Sequence, residues 1–358
     1  MFTDIYGRTI IQLPGSGGDS ELFFRTAILI SKGEQIPYGG WFTLLLGNII
    51  KVTGISRLWC EYIVLLFSVV SIVLLTKTLA ELDLKFEVIN RAIYIVAILP
   101  NFAILSSILL RESIICAFCT LSLYFFVLWM VRKNSVYYIL ALTAPIGGAV
   151  FHSGVIGLTV GMVIIRFLYD NKTNVISINS KGLFLASILL ITFAFVYINY
   201  GEQLFSKIYV SSAKEIANGT GRGGSDYSRY VGSSASIFSM IIFSIPRYLY
   251  YLFSPFPWQW RGLSDIIAFV FNSLFYALTF ISVVKYIRYE NHSAQKSRLI
   301  VIFIVAMAMT FIYAWGVENT GTAIRHRDKM LPWFVAMYAL SYNNDGKIIL
   351  TVGKDRVF

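Results

Sequence analysis

Charge is what this chain of 358 residues has least of: Asp, Glu, Lys and Arg make up 14% of it, against about 25% in an ordinary soluble chain. The deficit is uneven. Long uncharged runs alternate with short charged stretches, the pattern of repeated spans through a bilayer, and a soluble enzyme of two or three domains is excluded. Cysteine is scarce as well. Cys60, Cys116 and Cys119 all lie in apolar segments, which excludes a disulfide framework. The C-x-x-C of Cys116 and Cys119 has no other metal-type ligand beside it and reads as two small buried residues on one helix face. With no dense carboxylate cluster anywhere, neither a metal nor another cofactor is expected. The formal charge of +11 would suggest nucleic acid in a soluble protein. Here Lys and Arg gather at the ends of apolar runs, so the expected partner is membrane lipid, not nucleic acid.

What is present reads as an all-α, polytopic integral membrane protein in one transmembrane domain, 1–358. About nine transmembrane helices are expected, with further interfacial or re-entrant ones. Simple spans are expected near 57–80, 90–109, 111–131, 182–200, 264–286, 298–316 and 330–344. The stretch 137–168 is too long for one crossing, and His152 and Gly154 divide it into two short helices meeting near one surface. Residues 36–54, broken by glycines and Lys51, suit an interfacial helix, and 237–253 with Pro246 and Arg247 a re-entrant or interfacial one. The glycine-rich 219–225 in the loop 201–235 is expected to be a mobile loop; it lacks the GK[ST] ending of a phosphate loop.

Clusters of Lys and Arg at 77–91, 132–133, 166–181, 285–298 and the tail fall on one side if 137–168 crosses twice and 237–253 does not cross. By the positive-inside rule that side is cytoplasmic. External segments are then 1–56, 201–263 and 317–329. This puts residues 1–56 outside with no span before them: either the first crossing exports its own N-terminus or an opening helix is missing from the sequence, the second being favoured. Ten of the 16 arginines fall outside, where a guanidinium grips phosphate or carboxylate with a planar fork.

Five constellations can carry chemistry. Gly18-Asp19-Ser20-Glu21 offers two carboxylates for sugar hydroxyls or base catalysis, or simply acids in a first helical turn. Arg111-Glu112 interrupts two apolar runs, as a charged pair in an aqueous cavity or as a self-neutralising hairpin. His152 is a proton carrier, a donor to substrate, or a satisfied interfacial side chain. Arg325-His326-Arg327 just before the last expected span puts cations at a helix start, against the macrodipole, which asks for a bound anion; snorkelling lipid anchors are the alternative. Finally, Arg247, Trp258, Trp260 and Arg261 surround a proline-stiffened outer segment, where the indoles stack on sugars or sit in an aromatic belt.

Together, Gly18–Glu21, the interfacial 36–54, LPNFAILSSILLRES at 99–113 and GTAIRHRDKMLPW at 321–333 resemble the Wzy-type and EpsG-like polysaccharide polymerases, and more loosely the GT-C membrane glycosyltransferases. The resemblance implies an undecaprenyl-pyrophosphate-linked oligosaccharide as substrate and, as a further candidate partner, a chain-length regulator protein. The site would face the periplasm from the bacterial inner membrane. It also implies pyrophosphate clamps at Arg111 and at Arg325 or Arg327, and a base or acceptor-orienting group among Asp19, Glu21 and Glu112. A lipid-linked glycan flippase or transporter, and a membrane O-acyltransferase using His152, remain the alternatives.

Overall fold

The computed structural model describes residues 17–34, 39–176, 184, 226–231, 237–290 and 294–341. The span expected over 182–200, the glycine-rich 219–225 and the tail lie outside the described residues. What is described is almost wholly helical. In chain order the helices are α1 (Gly17–Ser31), α2 (Gly40–Thr53), α3 (Arg57–Glu81), α4 (Phe86–Ile98), α5 (Pro100–Ser107), α6 (Glu112–Arg132), α7 (Ser135–Ala149), a 3-10 turn (Ser153–Val155) and α8 (Ile156–Leu168). A two-stranded hairpin, β1 (Tyr169–Asp170) with β2 (Val175–Ile176), follows. Then come α9 (Ser228–Val231), α10 (Ile237–Phe253), α11 (Leu263–Tyr289), α12 (Ala294–Gly316), α13 (Thr320–Asp328) and α14 (Leu331–Leu340).

Four of these, α3, α6, α11 and α12, are long and apolar enough to cross a membrane, or five spans if the bent pair α4–α5 counts as one. The chain is therefore an all-α membrane protein. Its side chains are sorted accordingly. On α3 the exposed side carries Leu65, Leu66, Val69, Val70 and Val73, while Ser68, Ser71 and Thr78 are buried. Two of these inward hydroxyls are satisfied locally: Ser71 donates to the Phe67 carbonyl (2.9 Å) and Thr78 to that of Leu74 (2.7 Å). Apolar outside and polar inside is the arrangement a lipid solvent favours.

Two expected spans differ. The one over 90–109 breaks between α4 and α5 with a 60° bend. Pro100 explains it: proline lacks the N–H that would continue α4 and suits the first turn of a new helix. The last one, expected over 330–344, is a ten-residue helix. At about 1.5 Å per residue, α14 is roughly 15 Å long, half a hydrocarbon core. Nearly every residue in it is buried, Trp333 to Met337 included, so α14 is a central post packed between α3, α4, α6, α11 and α12. An all-round apolar helix belongs in such a place. The division of 137–168 at His152 does appear, as α7 and the 3-10 turn running into α8.

Helix α8 lies close against α12 because it presents glycines there. A Cβ on Gly157 would meet the Met309 Cα at 2.6 Å, and one on Gly161 the Val305 Cα at 2.9 Å. Backbone cannot move aside cheaply, and small residues are what allow such approach in membranes. Gly157→Ala is therefore expected to lose about 1–3 kcal/mol of stability through overpacking, despite the gain in helix propensity. Gly262→Ala, whose Cβ would meet nothing within 4 Å, should stay within about 0.5 kcal/mol. Thermal unfolding of both variants in detergent checks the contrast; equal melting temperatures would remove the seam as a constraint.

Candidate functional site

Three separate parts of the chain meet at one carboxylate. Glu112 opens α6, in the first turn, where an acid complements the helix dipole. It is only 3% exposed. Its Oε1 accepts from Arg325 Nη2 (2.9 Å) and Nε (3.2 Å) and lies 3.7 Å from Lys329 Nζ. Arg325 and Lys329 are four residues apart, so they project from one side of α13 and its end. Arg325 Nη1 also donates to Asp19 Oδ2, in the first turn of α1. Asp19 is the open member of the group, with 43% of its side chain exposed.

Around this centre the rings pack closely. His326 stands edge-on to His152 (4.6 Å between centroids), Tyr313 lies 4.8 Å from His326, and Lys329 Nζ sits 5.4 Å from the Tyr313 ring centroid. His152 Nδ1 accepts the Gly154 N–H (3.3 Å) and so caps the 3-10 turn, which puts the neutral ring's proton on Nε2. Arg111, beside Glu112, donates to the Phe151 carbonyl (3.0 Å) and thereby ties α6 to that same corner. On α13, outside the membrane-length helices, burial and then the charges of Lys329, His152 and Arg325 hold His326 well below the ordinary imidazole value. Burial lowers Lys329 to about 7, opposed by Glu112 and assisted by Arg111 and Arg325.

The macrodipole argument for a phosphate at 321–328 is overturned. The Asn319 side chain caps α13 by accepting from Gly321 (2.9 Å) and Thr322 (3.3 Å), and Arg325, His326 and Arg327 occupy its last turn. Cations are favoured there, not opposed. Nor do Arg325 and Arg327 form a pair. Two residues apart is about 200° around a helix, and Arg327 points elsewhere. Fully buried, it donates to the Leu252 carbonyl and to that of Ser254 (2.7 Å), under the Tyr276 ring at 5.7 Å. Next to it, Asn272 donates to Asp328 Oδ1 (2.9 Å) from the π-turn Phe269–Ser273 of α11. Burial raises Asp328 to about 7, against the lowering effect of Arg327 and of that hydrogen bond.

The structure thus gathers Asp19, Arg111, Glu112, His152, Arg325 and His326. Other expected residues are engaged by other groups. Glu21 pairs with Arg57 (2.8 Å), which also holds Glu61 (3.0 Å) and Ser20 (2.8 Å). Arg247 pairs with Glu318 (3.0 Å) and lies 4.3 Å from the Trp315 ring centroid. Trp258 is 65% exposed and stacks on Phe256, Trp260 Nε1 donates to the Pro255 carbonyl (3.3 Å), and Arg261 pairs with Asp265 (3.4 Å). Lys329 and Tyr313 escaped sequence reasoning. The spacing of Lys329 from Arg325 was the available signal; Tyr313, inside an apolar span, gave none. Among the described residues no three His, Cys, Asp or Glu side chains come together to hold a metal ion.

No protein-family model, curated protein or solved structure matches this chain.

Removing a partner from a buried ion pair strands the other charge, typically at 3–5 kcal/mol. Glu112→Ala strands Lys329, leaves Arg325 with Asp19 in place of both carboxylates, and is expected to cost about that much. Asp19→Ala removes a half-exposed partner and should cost about 1 kcal/mol or less. Detergent unfolding of the two variants tests this, and a larger loss for Asp19→Ala would refute the ranking.

Proposed function

We propose that this chain is a membrane glycosyltransferase that polymerises polyprenyl-pyrophosphate-linked oligosaccharide repeats at the periplasmic face of a bacterial inner membrane. One observation carries the reading: Arg111 at the start of α6 and Arg325 and Lys329 at the end of α13 approach one buried point, with the half-exposed carboxylate of Asp19 at its edge. Such a site suits a reaction in which charge builds on a diphosphate leaving group. The acceptor hydroxyl attacks the anomeric carbon, the bond from that carbon to the diphosphate oxygen breaks, and the diphosphate departs with the electron pair. Arginines already in place stabilise the developing charge without reorganisation. The hydroxyl proton passes to a carboxylate. Asp19 suits that role better than Glu112, whose Oε1 is taken up by Arg325, because Asp19 is open to an arriving acceptor. Exposed Trp258 offers an aromatic face for a sugar ring.

A second reading has its own support. The broken pair α4–α5 and a buried ionic cluster are features that transporters use to move a substrate between the two sides of a membrane. A lipid-linked glycan flippase is that alternative.

Arg325→Ala separates the two. Loss of one charge-assisted contact to the leaving group is expected to slow chain growth about 10–100-fold. In a strain carrying this variant, electrophoresis of the glycan should show single repeats and no long ladder, with the protein still in the membrane. Repeats accumulating on the cytoplasmic leaflet would favour the flippase, and a normal ladder would sink both.

A further inference from the structure

Lys329 is a charge among the described residues whose place the contacts around it leave unexplained. It is fully buried, and its Nζ makes no hydrogen bond among the described residues. The other half of the missing contact lies beside it: Glu112 Oε2 is equally buried and equally without a partner, while Nζ stops 3.7 Å from Oε1. A buried ammonium and a buried carboxylate oxygen, each unsatisfied, are costly separately, and closing the gap would relieve both. The pair is held open in the state where Arg325 occupies Glu112 with two N–H groups.

We propose that Lys329 is a standby counter-ion, which takes over Glu112 when an oxyanion draws Arg325 away. The site then exchanges one ion pair for another and no buried carboxylate is laid bare. The inference rests on the reading of Arg325 as an oxyanion ligand, and it makes Lys329 a positioning residue that acts through Arg325. The geometry suits the exchange. Arg325 already reaches outward to the half-exposed Asp19, so its path of withdrawal leads to the open side. Lys329 follows one turn later and stays behind. Shortening its approach to Glu112 by about 0.9 Å gives an ordinary charge-assisted hydrogen bond, and a four-carbon stem ending in rotatable donors makes that move easily. Arg111 is less able to do so, because its Nη1 is committed to the Phe151 carbonyl.

The test is calorimetric titration of inorganic pyrophosphate into the full-length chain in phospholipid-free detergent, where no headgroup phosphate competes. Lys329→Met should weaken binding roughly tenfold or more, since Arg325 can no longer leave Glu112 uncompensated. Adding Glu112→Gln to Lys329→Met should restore the affinity to within about threefold, because no buried charge then needs a replacement. Unchanged binding in Lys329→Met, or a double variant as weak as the single one, would overturn the exchange. If Lys329→Met does not fold, Glu112→Gln alone decides: it should bind about threefold tighter or more, as Arg325 surrenders no ionic partner there, and equal or weaker binding counts against the proposal. A wild-type chain that binds no pyrophosphate would instead remove the oxyanion reading beneath it.

Discussion

A carboxylate removed from water organises this protein. Glu112 at 3% exposure is tolerable only because Arg325 is held against it and Lys329 stands nearby, and those cations are tolerable only because of Glu112. The mutual dependence fixes where three distant segments lie. Helix α1 is drawn in through Asp19, α6 is fixed at its first turn, and α13 is oriented so that Arg325 faces inward and Arg327 the opposite way. Arg327 then fastens the far side of α13 to the carbonyls that end α10. A nine-residue helix with hardly any apolar surface is thus positioned by ionic and hydrogen-bonded contacts on both flanks, not by burial of an oily stripe.

The surrounding packing keeps that arrangement rigid. Helix α14 fills the middle, and its Trp333 donates from Nε1 to the Cys119 carbonyl (3.0 Å), which joins it to α6. The glycine seam brings α8 onto α12, and Gly154 just before it lies against the Tyr313 ring, where a Cβ would come within 2.7 Å. Tyr313 in turn touches both His152 and His326. The corner that carries His152 and receives Arg111 is therefore registered on α12 by an absence of side chain. Function and packing share residues here, since a shift of α8 would be felt at the histidines.

Much of the architecture was legible because lipid imposes long uncharged runs on a sequence. Helices α3, α6, α11 and α12 end within a few residues of their expected bounds. The errors came where tertiary context decided. Residues 90–109 read as one apolar run, yet Pro100 ends a helix there. Residues 330–344 read as a span, whereas the described helix is short and enclosed by protein, a distinction hydropathy cannot make. At the site, the charges flanked by apolar sequence were visible: Arg111-Glu112 and Arg325-His326 do meet. Their helical phase was not. Once α13 is known to begin at Thr320, its cations belong to a C-terminal turn and Arg327 diverges from Arg325, which reverses the electrostatic case for a phosphate at its start. Lys329 went unnoticed because a lysine next to a hydrophobic run usually marks a membrane boundary.

The separation of 213 residues between Glu112 and Arg325 has a consequence for biosynthesis. A ribosome adding 5–20 residues per second needs roughly 10–40 s to cover that distance. Throughout that interval α6 is already made while its guanidinium partner has not yet been synthesised. Glu112 must therefore be inserted either protonated or beside water, and it acquires its final ionic surroundings only when α13 emerges. The last steps of assembly thus join an electrostatic closure by α13 to the entry of α14, on a bundle whose membrane-length helices are already made.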